Sequence, residues 1–268
     1  MTAQEKLKHK IDNNLHICVG LDSDINKIPK HLKTSENPIL EFNKRIIDST
    51  AEQAAAFKIN FAFYECSGIE GYKTLEKTIE YIPNDVLIIA DAKRGDIGNT
   101  SQMYAQAIYD YFKCDSITLH PYMGYDSVEP FLDYESKINF ILGLTSNKGA
   151  NDFEKLKLND NNFVYQEVIN KTNQWNKNNN LGLVFGATNP EELKLNIQNF
   201  NDMPILLPGV GAQGGSLEDV VSIFKGNNKR NFIINISRGL IYYNDSVDFE
   251  NKISERLTEL NKIVANLL

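Results

Sequence analysis

Cysteine is scarce in this sequence, with Cys18, Cys66 and Cys114 the three among 268 residues. They are odd in number, far apart and without metal-ligand spacing, which argues against a disulfide framework and predicts buried, reduced thiols. Histidine is sparse as well. His9, His16, His31 and His120 form no HxxxH or HExxH pair, so no metal site is assigned. Long apolar runs are missing: Val86 to Ala90 falls far short of the about 20 residues that a membrane span needs. The amino-terminal MTAQEKLKHKIDNN is polar and lacks a signal-peptide apolar stretch, so the expected location is the cytoplasm, with no membrane partner. Positive charge is not in excess. Lys and Arg total 28 against 35 Asp and Glu, a net charge of -7, which excludes a broad basic footprint for nucleic acid. Any anionic ligand must be caught locally.

What the chain does have is a repeat. Short apolar, β-branched runs recur eight times: residues 15–22, 55–63, 85–93, 116–122, 138–146, 181–188, 204–212 and 231–239. Their spacing, roughly 31 residues on average, is that of a strand plus a helix in a (β/α)8 barrel. Near-continuous apolar character fits parallel strands buried on both faces. An open doubly wound sheet also alternates β and α, but eight units without a linker favour closure. The expectation is one (β/α)8 TIM barrel, a single α/β domain over residues 1–268.

The segments between the runs read as helices. Asn189-Pro190-Glu191-Glu192 supplies a capping residue, an N1 proline and first-turn acids. Thr50 to Ala56 and Ser101 to Phe112 are rich in helix formers. One connection is long: residues 147–180, after the fifth strand, with a helix expected from Phe163 to Trp175 behind an ordered loop that is either a lid or surface elaboration.

Polar residues gather at the carboxyl ends of the strands, where barrel enzymes build their sites: Asp22, Lys58, Asn60, Asp91, Lys93, His120, Thr145, Ser146, Thr188 and Arg238. Residues two apart on an extended strand share a face, so Lys58 pairs with Asn60, and Asp91 with Lys93. Buried charges are costly unless paired, and an alternating chain of ammonium and carboxylate permits them. Asp96 follows the strand and is expected to form an i, i+4 pair with Thr100 on the next helix. The bland alternatives are a helix cap for Asp96 and a silent ion pair between Lys58 and Asp91.

A second cluster suits phosphate. In Pro208-Gly209-Val210-Gly211-Ala212-Gln213-Gly214-Gly215, glycines let N–H groups approach an anion, Gln213 adds an amide donor, and Arg238 grips phosphate oxygens bidentately. Residues 209–214 also spell GxGxxG. That pattern here follows the seventh strand, and the next strand ends in Ser237-Arg238 in place of an acidic ribose ligand, which argues against a dinucleotide site.

Together VGLDSD, FKINFAFYE, DAKRGDIGNT, TLHPYMG, LLPGVGAQGG and NISRG resemble the orotidine 5'-phosphate decarboxylase family over nearly the whole chain, with DAKRGDIGNT the most specific segment. The resemblance implies an alternating charged tetrad of Lys58, Asp91, Lys93 and Asp96, with Asp96 and Thr100 donated across a homodimer interface. It further implies that Asp22 and Lys58 bind ribose hydroxyls, that Asn60 lines the same region, and that Asp96 and Thr100 of the partner approach the 2'-OH. Thr145 and Ser146 meet the pyrimidine edge, Pro208 lies against the base, and Gln213 and Arg238 hold the phosphate. The implied reaction is cofactor-independent decarboxylation of orotidine 5'-phosphate to UMP and CO2, the last step of de novo pyrimidine synthesis.

The chemistry fits those residue types. Loss of CO2 from C6 leaves electrons in an sp2 orbital that the ring delocalises poorly, so stabilisation must be electrostatic and concentrated in the transition state. An ammonium at Lys93 supplies it and then delivers the proton. The alternative is a metal-dependent sugar-phosphate decarboxylase or synthase of the same barrel suprafamily, yet Lys58 stands where such an enzyme needs an acidic metal ligand. A Schiff-base aldolase at Lys93 is opposed by its carboxylate partners, which keep the amine protonated. A catalytically dead phosphate-binding barrel is opposed by the filled tetrad positions.

Overall fold

The structure, a computed structural model, describes residues 1–159, 161–211 and 213–268. Ala212 of the glycine-rich motif therefore lies outside the described residues. Eight parallel strands close into a barrel in chain order: β1 (Ile17–Gly20), β2 (Ala56–Asn60), β3 (Leu87–Arg94), β4 (Ser116–Leu119), β5 (Ile138–Leu144), β6 (Leu181–Phe185), β7 (Ile205–Pro208) and β8 (Phe232–Ile236). Each lies within an expected apolar run, except that β3 extends one residue past the end of its run. The helices are α1 (Ala3–Asp12), α2 (Pro38–Thr50), α3 (Ala62–Glu65), α4 (Gly68–Tyr81), α5 (Gly98–Gln106), α6 (Tyr125–Leu132), α7 (Val164–Trp175), α8 (Pro190–Asn196), α9 (Leu217–Gly226), α10 (Arg238–Ile241) and α11 (Phe249–Leu267). No helix among the described residues is long and apolar enough to cross a membrane.

Strand alternation sorts the core into two layers. Ile88 and Ala90 of β3, with Phe57 and Ile59 of β2, pack outward against the helices. Leu87 and Ile89, with Ala56, Phe140, Val184, Leu206 and Ile233, fill the barrel interior. Continuing the inward rows by two residues reaches Lys58 from Ala56, Asp91 from Ile89 and Asn235 from Ile233. The apolar floor thus passes into a polar layer at the carboxyl ends.

The amino terminus seals the opposite end. Although polar in composition, it folds as amphipathic α1, whose Ala3, Leu7 and Ile11 join the interior cluster. A capping box fixes its start: Thr2 Oγ1 accepts from the Glu5 N–H at 3.2 Å, and Glu5 accepts from the Thr2 N–H at 2.8 Å. Lys6 of the same helix pairs with buried Asp115 at 2.8 Å.

Three local expectations need correction. Residues 51–55 are turn and coil, because the second helix starts earlier, where Asn37 Oδ1 caps Leu40 N–H at 3.0 Å and Pro38 takes the N1 position. Asn189 does stand before α8, but its side chain donates to the Thr145 carbonyl at 3.1 Å instead of capping that helix. Of the cysteines, Cys18 and Cys114 are buried, with burial pushing the Cys18 thiol up to about 12, whereas Cys66 is exposed at the surface corner between α3 and α4.

His16, just ahead of β1, is fully buried against Phe232, ring centroids 4.2 Å apart, and its Nδ1 donates to the Phe232 carbonyl at 2.9 Å. Burial lowers its pKa to about 4, against the pull of that hydrogen bond. Because the folded value is depressed, the stabilisation is present above about pH 6.5 and declines as pH falls, since the unfolded imidazole then takes a proton that the folded one resists. A loss on the order of 3 kcal/mol is expected across that window. Thermal melts between pH 7 and 4 should show it, and His16→Gln should flatten the slope.

Candidate active site

The carboxyl ends of the strands enclose a cavity of about 300 Å³. At its base lies a three-membered ionic chain. Lys58 Nζ donates to Asp91 Oδ2 at 2.6 Å, and Lys93 Nζ donates to Asp91 Oδ1 at 2.6 Å. Asp22 approaches Lys58 from β1, at 3.8 Å. Burial alone would raise the Asp91 pKa, but the two ammonium groups reverse this and hold the carboxyl well below the usual carboxylate range. Burial works against the Lys58 charge in the same way. Asp91 and Asp22 outweigh it, so the ammonium is held above its ordinary pKa.

The two lysines differ in access. The Lys58 side chain is 5% exposed and that of Lys93 is 52% exposed, so Lys58 is a buried counter-ion while Lys93 offers its ammonium to the cavity. Lys93 reaches this place by a route that simple strand alternation does not describe. The pairing of β3 with β4 shifts register between Ala90 and Arg94, and Lys93 has φ 46°, in the left-handed region. Its side-by-side placement with Asp91 follows from an irregular strand end.

Asn60, Thr145, Ser146, Pro208, Gln213 and Arg238 all line the cavity, as expected. Ser146 Oγ donates to Gln213 Oε1 at 2.5 Å, joining the end of β5 to the loop after β7. The Arg238 side chain carries no hydrogen bond or ion pair to any described residue and is available to an anion. Within the glycine-rich loop, the N–H groups of Gly211, Gly214 and Gly215 bond to carbonyls of the loop itself at 3.0, 2.8 and 3.0 Å, so these three shape the turn. Gly209 has φ 100°, and a Cβ there would sit 3.0 Å from Ser146 Cβ.

Asp96 and Thr100 are not brought into this cavity. Asp96 precedes the helix, which begins at Gly98, so the two do not form an i, i+4 helical pair; Asp96 Oδ1 accepts from the adjacent Ile97 N–H at 2.8 Å, and Thr100 is exposed. Nor does Asp96 cap α5, whose N-cap is Ile97.

Several cavity residues escaped sequence reasoning. Thr118, Asn147 and Asn235 are uncharged and sit within or beside apolar runs, and only the folded chain shows that they face the cavity. Asn235 Oδ1, Ser237 Oγ and Asp22 Oδ1 are buried without a hydrogen-bond partner, as expected of groups awaiting a polar ligand. Gly20 makes room for two of them, since a Cβ there would lie 2.6 Å from Ser237 Cβ and 3.0 Å from Asn235 Oδ1. The long connection after β5 also has a structural use: Glu154 accepts from the Thr145 N–H at 2.6 Å and from its hydroxyl at 2.8 Å, pinning the strand end.

Known proteins share both sequence and architecture with this chain. Residues 15–248 match the family model described as orotidine 5'-phosphate decarboxylase / HUMPS family. Orotidine 5'-phosphate decarboxylase of Christiangramia forsetii is 48% identical over 256 residues, covering 93% of this chain and 92% of that protein. Among solved structures, Leishmania donovani OMP decarboxylase has a TM-score of 0.84 and 34% identity, with 99% of each chain covered. The Leishmania donovani UMP synthase structure has a TM-score of 0.85 and 36% identity over 98% of this chain, which spans 57% of that longer protein. Sequence and barrel therefore agree that the chain belongs to the orotidine 5'-phosphate decarboxylase / HUMPS family.

Proposed function

We propose that the protein decarboxylates orotidine 5'-phosphate to UMP and CO2 in pyrimidine biosynthesis, in the cytoplasm and without a cofactor. The observation that carries this reading is the Lys58–Asp91–Lys93 chain, which fixes one accessible ammonium at the floor of a cavity ringed by nucleotide-sized polar contacts. The bond between C6 and the carboxylate breaks, its electron pair stays on C6, and CO2 departs. Lys93 Nζ stabilises the developing negative charge and then transfers a proton to C6, to be reprotonated from solvent. Asp91 keeps that ammonium aimed and charged.

Binding energy comes from farther away. Gln213 and Arg238 take the phosphate, Thr145 and Ser146 the pyrimidine edge, Pro208 the face of the base, and Asp22, Lys58 and Asn60 the ribose. The Ser146–Gln213 hydrogen bond links the base and phosphate contacts, so seating one positions the other. The metal-dependent alternative is disfavoured by the Lys58 ammonium, which stands between Asp22 and Asp91 where a divalent cation would need carboxylates to itself. Purified protein and orotidine 5'-phosphate should give UMP and CO2 in equal amounts; no UMP would overturn the assignment.

We infer also that Asp96 and Thr100 complete the site of a second copy in a homodimer. Support comes from their position outside their own cavity and from the neighbouring Ile97 and Met103, apolar residues 57% and 54% exposed. Lys93→Ala and Asp96→Ala chains should each be nearly inactive alone. Mixed and re-associated in equal amounts, they should recover about one quarter of wild-type activity, because half the dimers are mixed and each mixed dimer holds one intact site. Proven heterodimers without recovery would refute the shared site.

A further inference from the structure

We propose that Thr118 is a positioning residue for the decarboxylation, its hydroxyl locking both ends of Lys93 at once. Thr118 lies on β4, is 2% exposed, and faces the cavity. Its Oγ1 accepts the Lys93 backbone N–H at 3.1 Å and donates to Asp91 Oδ1 at 3.1 Å. That carboxylate oxygen is the one that receives the Lys93 ammonium at 2.6 Å. A single hydroxyl therefore bonds the root of the lysine and the group that aims its tip.

The need for such a lock follows from the backbone. Ala90 pairs with Ile117 and Arg94 with Leu119, so four residue steps on β3 run against two on β4. The surplus residues leave the regular ladder, and Lys93 takes a φ of 46°, a conformation that a non-glycine residue adopts only when its surroundings hold it there. In the bulge the Lys93 N–H finds its partner in the Thr118 hydroxyl, not in a strand carbonyl. Valine has nearly the shape of threonine but can neither accept that N–H nor donate to Asp91. Without the hydroxyl the bulge is free to relax toward ordinary strand geometry, carrying the ammonium away from the reacting carbon, where small displacements are costly.

This inference rests on the reading of Lys93 as the proton donor, and the experiment separates the two. Wild type, Thr118→Val and Thr118→Ser are compared for kcat and KM with orotidine 5'-phosphate and for UMP affinity by calorimetry. Thr118→Val should lower kcat by about 10- to 100-fold with KM and UMP affinity within twofold of wild type, while Thr118→Ser, which keeps the hydroxyl, should stay within about threefold in kcat. If Thr118→Val is insoluble, Thr118→Ala removes the same hydroxyl and is judged by the same criteria. The positioning role is overturned if the hydroxyl-free variant keeps kcat within twofold, if UMP affinity falls in step with kcat, or if serine restores nothing. A wild-type protein that does not turn over orotidine 5'-phosphate overturns the decarboxylase reading itself.

Discussion

Replacing Lys93 with alanine is expected to lower kcat by on the order of 10^5-fold while leaving UMP bound at near wild-type affinity. Two contributions disappear together: the cation facing the charge that develops at C6, and the proton that ends the reaction. Product binding should survive because the phosphate and base contacts proposed above belong to other strands, with Gln213 and Arg238 beyond β7 and β8 and Thr145 and Ser146 beyond β5. The fold should survive as well, since the Lys93 side chain is 52% exposed and its removal leaves Asp91 paired to Lys58 at 2.6 Å. Single-turnover absorbance measurements give kcat, and calorimetry gives UMP affinity. A Lys93→Ala protein with more than a few per cent of wild-type turnover would remove Lys93 from the mechanism.

Asp91→Asn is expected to cost on the order of 10^3-fold in kcat, through loss of aim more than loss of chemistry. The amide cannot balance two ammonium groups. Lys58, 4% exposed, would be left with Asp22 at 3.8 Å as its nearest carboxylate, a broken buried pair of the kind that destabilises proteins by about 3–5 kcal/mol. The lower end of that range applies, because the Lys93 arm is half-open to solvent. The pH dependence has a definite sign. A depressed carboxyl pKa gives stability that is present above the unfolded value, about 3.9, and is lost only as pH falls through the folded value, which here lies below the usual carboxylate range. The raised Lys58 value contributes below about pH 10.4 and is lost only above its folded value at strongly alkaline pH. In Asp91→Asn, burial acts on Lys58 with Asp22 at 3.8 Å as its nearest carboxylate, so the stability gap to wild type should be widest at neutral pH and narrow as rising pH lets Lys58 shed its proton; a gap that widens with pH in thermal melts would contradict the assigned charge states.

The barrel was legible because its physics is periodic. Runs such as Leu87 to Ala90 and Phe232 to Ile234 are apolar at every position, as a strand covered on both faces requires, and they recur at strand-plus-helix spacing. The charges of the site were legible for the converse reason: Lys58 and Asp91 are too costly to bury without a purpose. The uncharged members were not. Thr118 and Asn235 cost little inside a strand, and nothing local tells an inward-facing threonine from an outward one. The path of Lys93 was hidden too, since the bulge depends on β4 register and not on the DAKRGD letters themselves. The amino-terminal helix was passed over because its apolar face is only Ala3, Leu7 and Ile11, one residue per turn among polar neighbours. Asp96 and Thr100 show a further limit, since they lie outside their own chain's cavity and the donation proposed for them needs a second copy.

The central claim is that this chain removes CO2 from a nucleotide with an ammonium of its own and no metal. Its most direct test is to follow the fall in ultraviolet absorbance of orotidine 5'-phosphate with purified protein, first in excess chelator and then with Mg2+ added. Equal rates in both, with UMP as product, are expected. Activity that vanishes with chelator and returns only with Mg2+ would contradict the claim and move the chain to the metal-dependent reading.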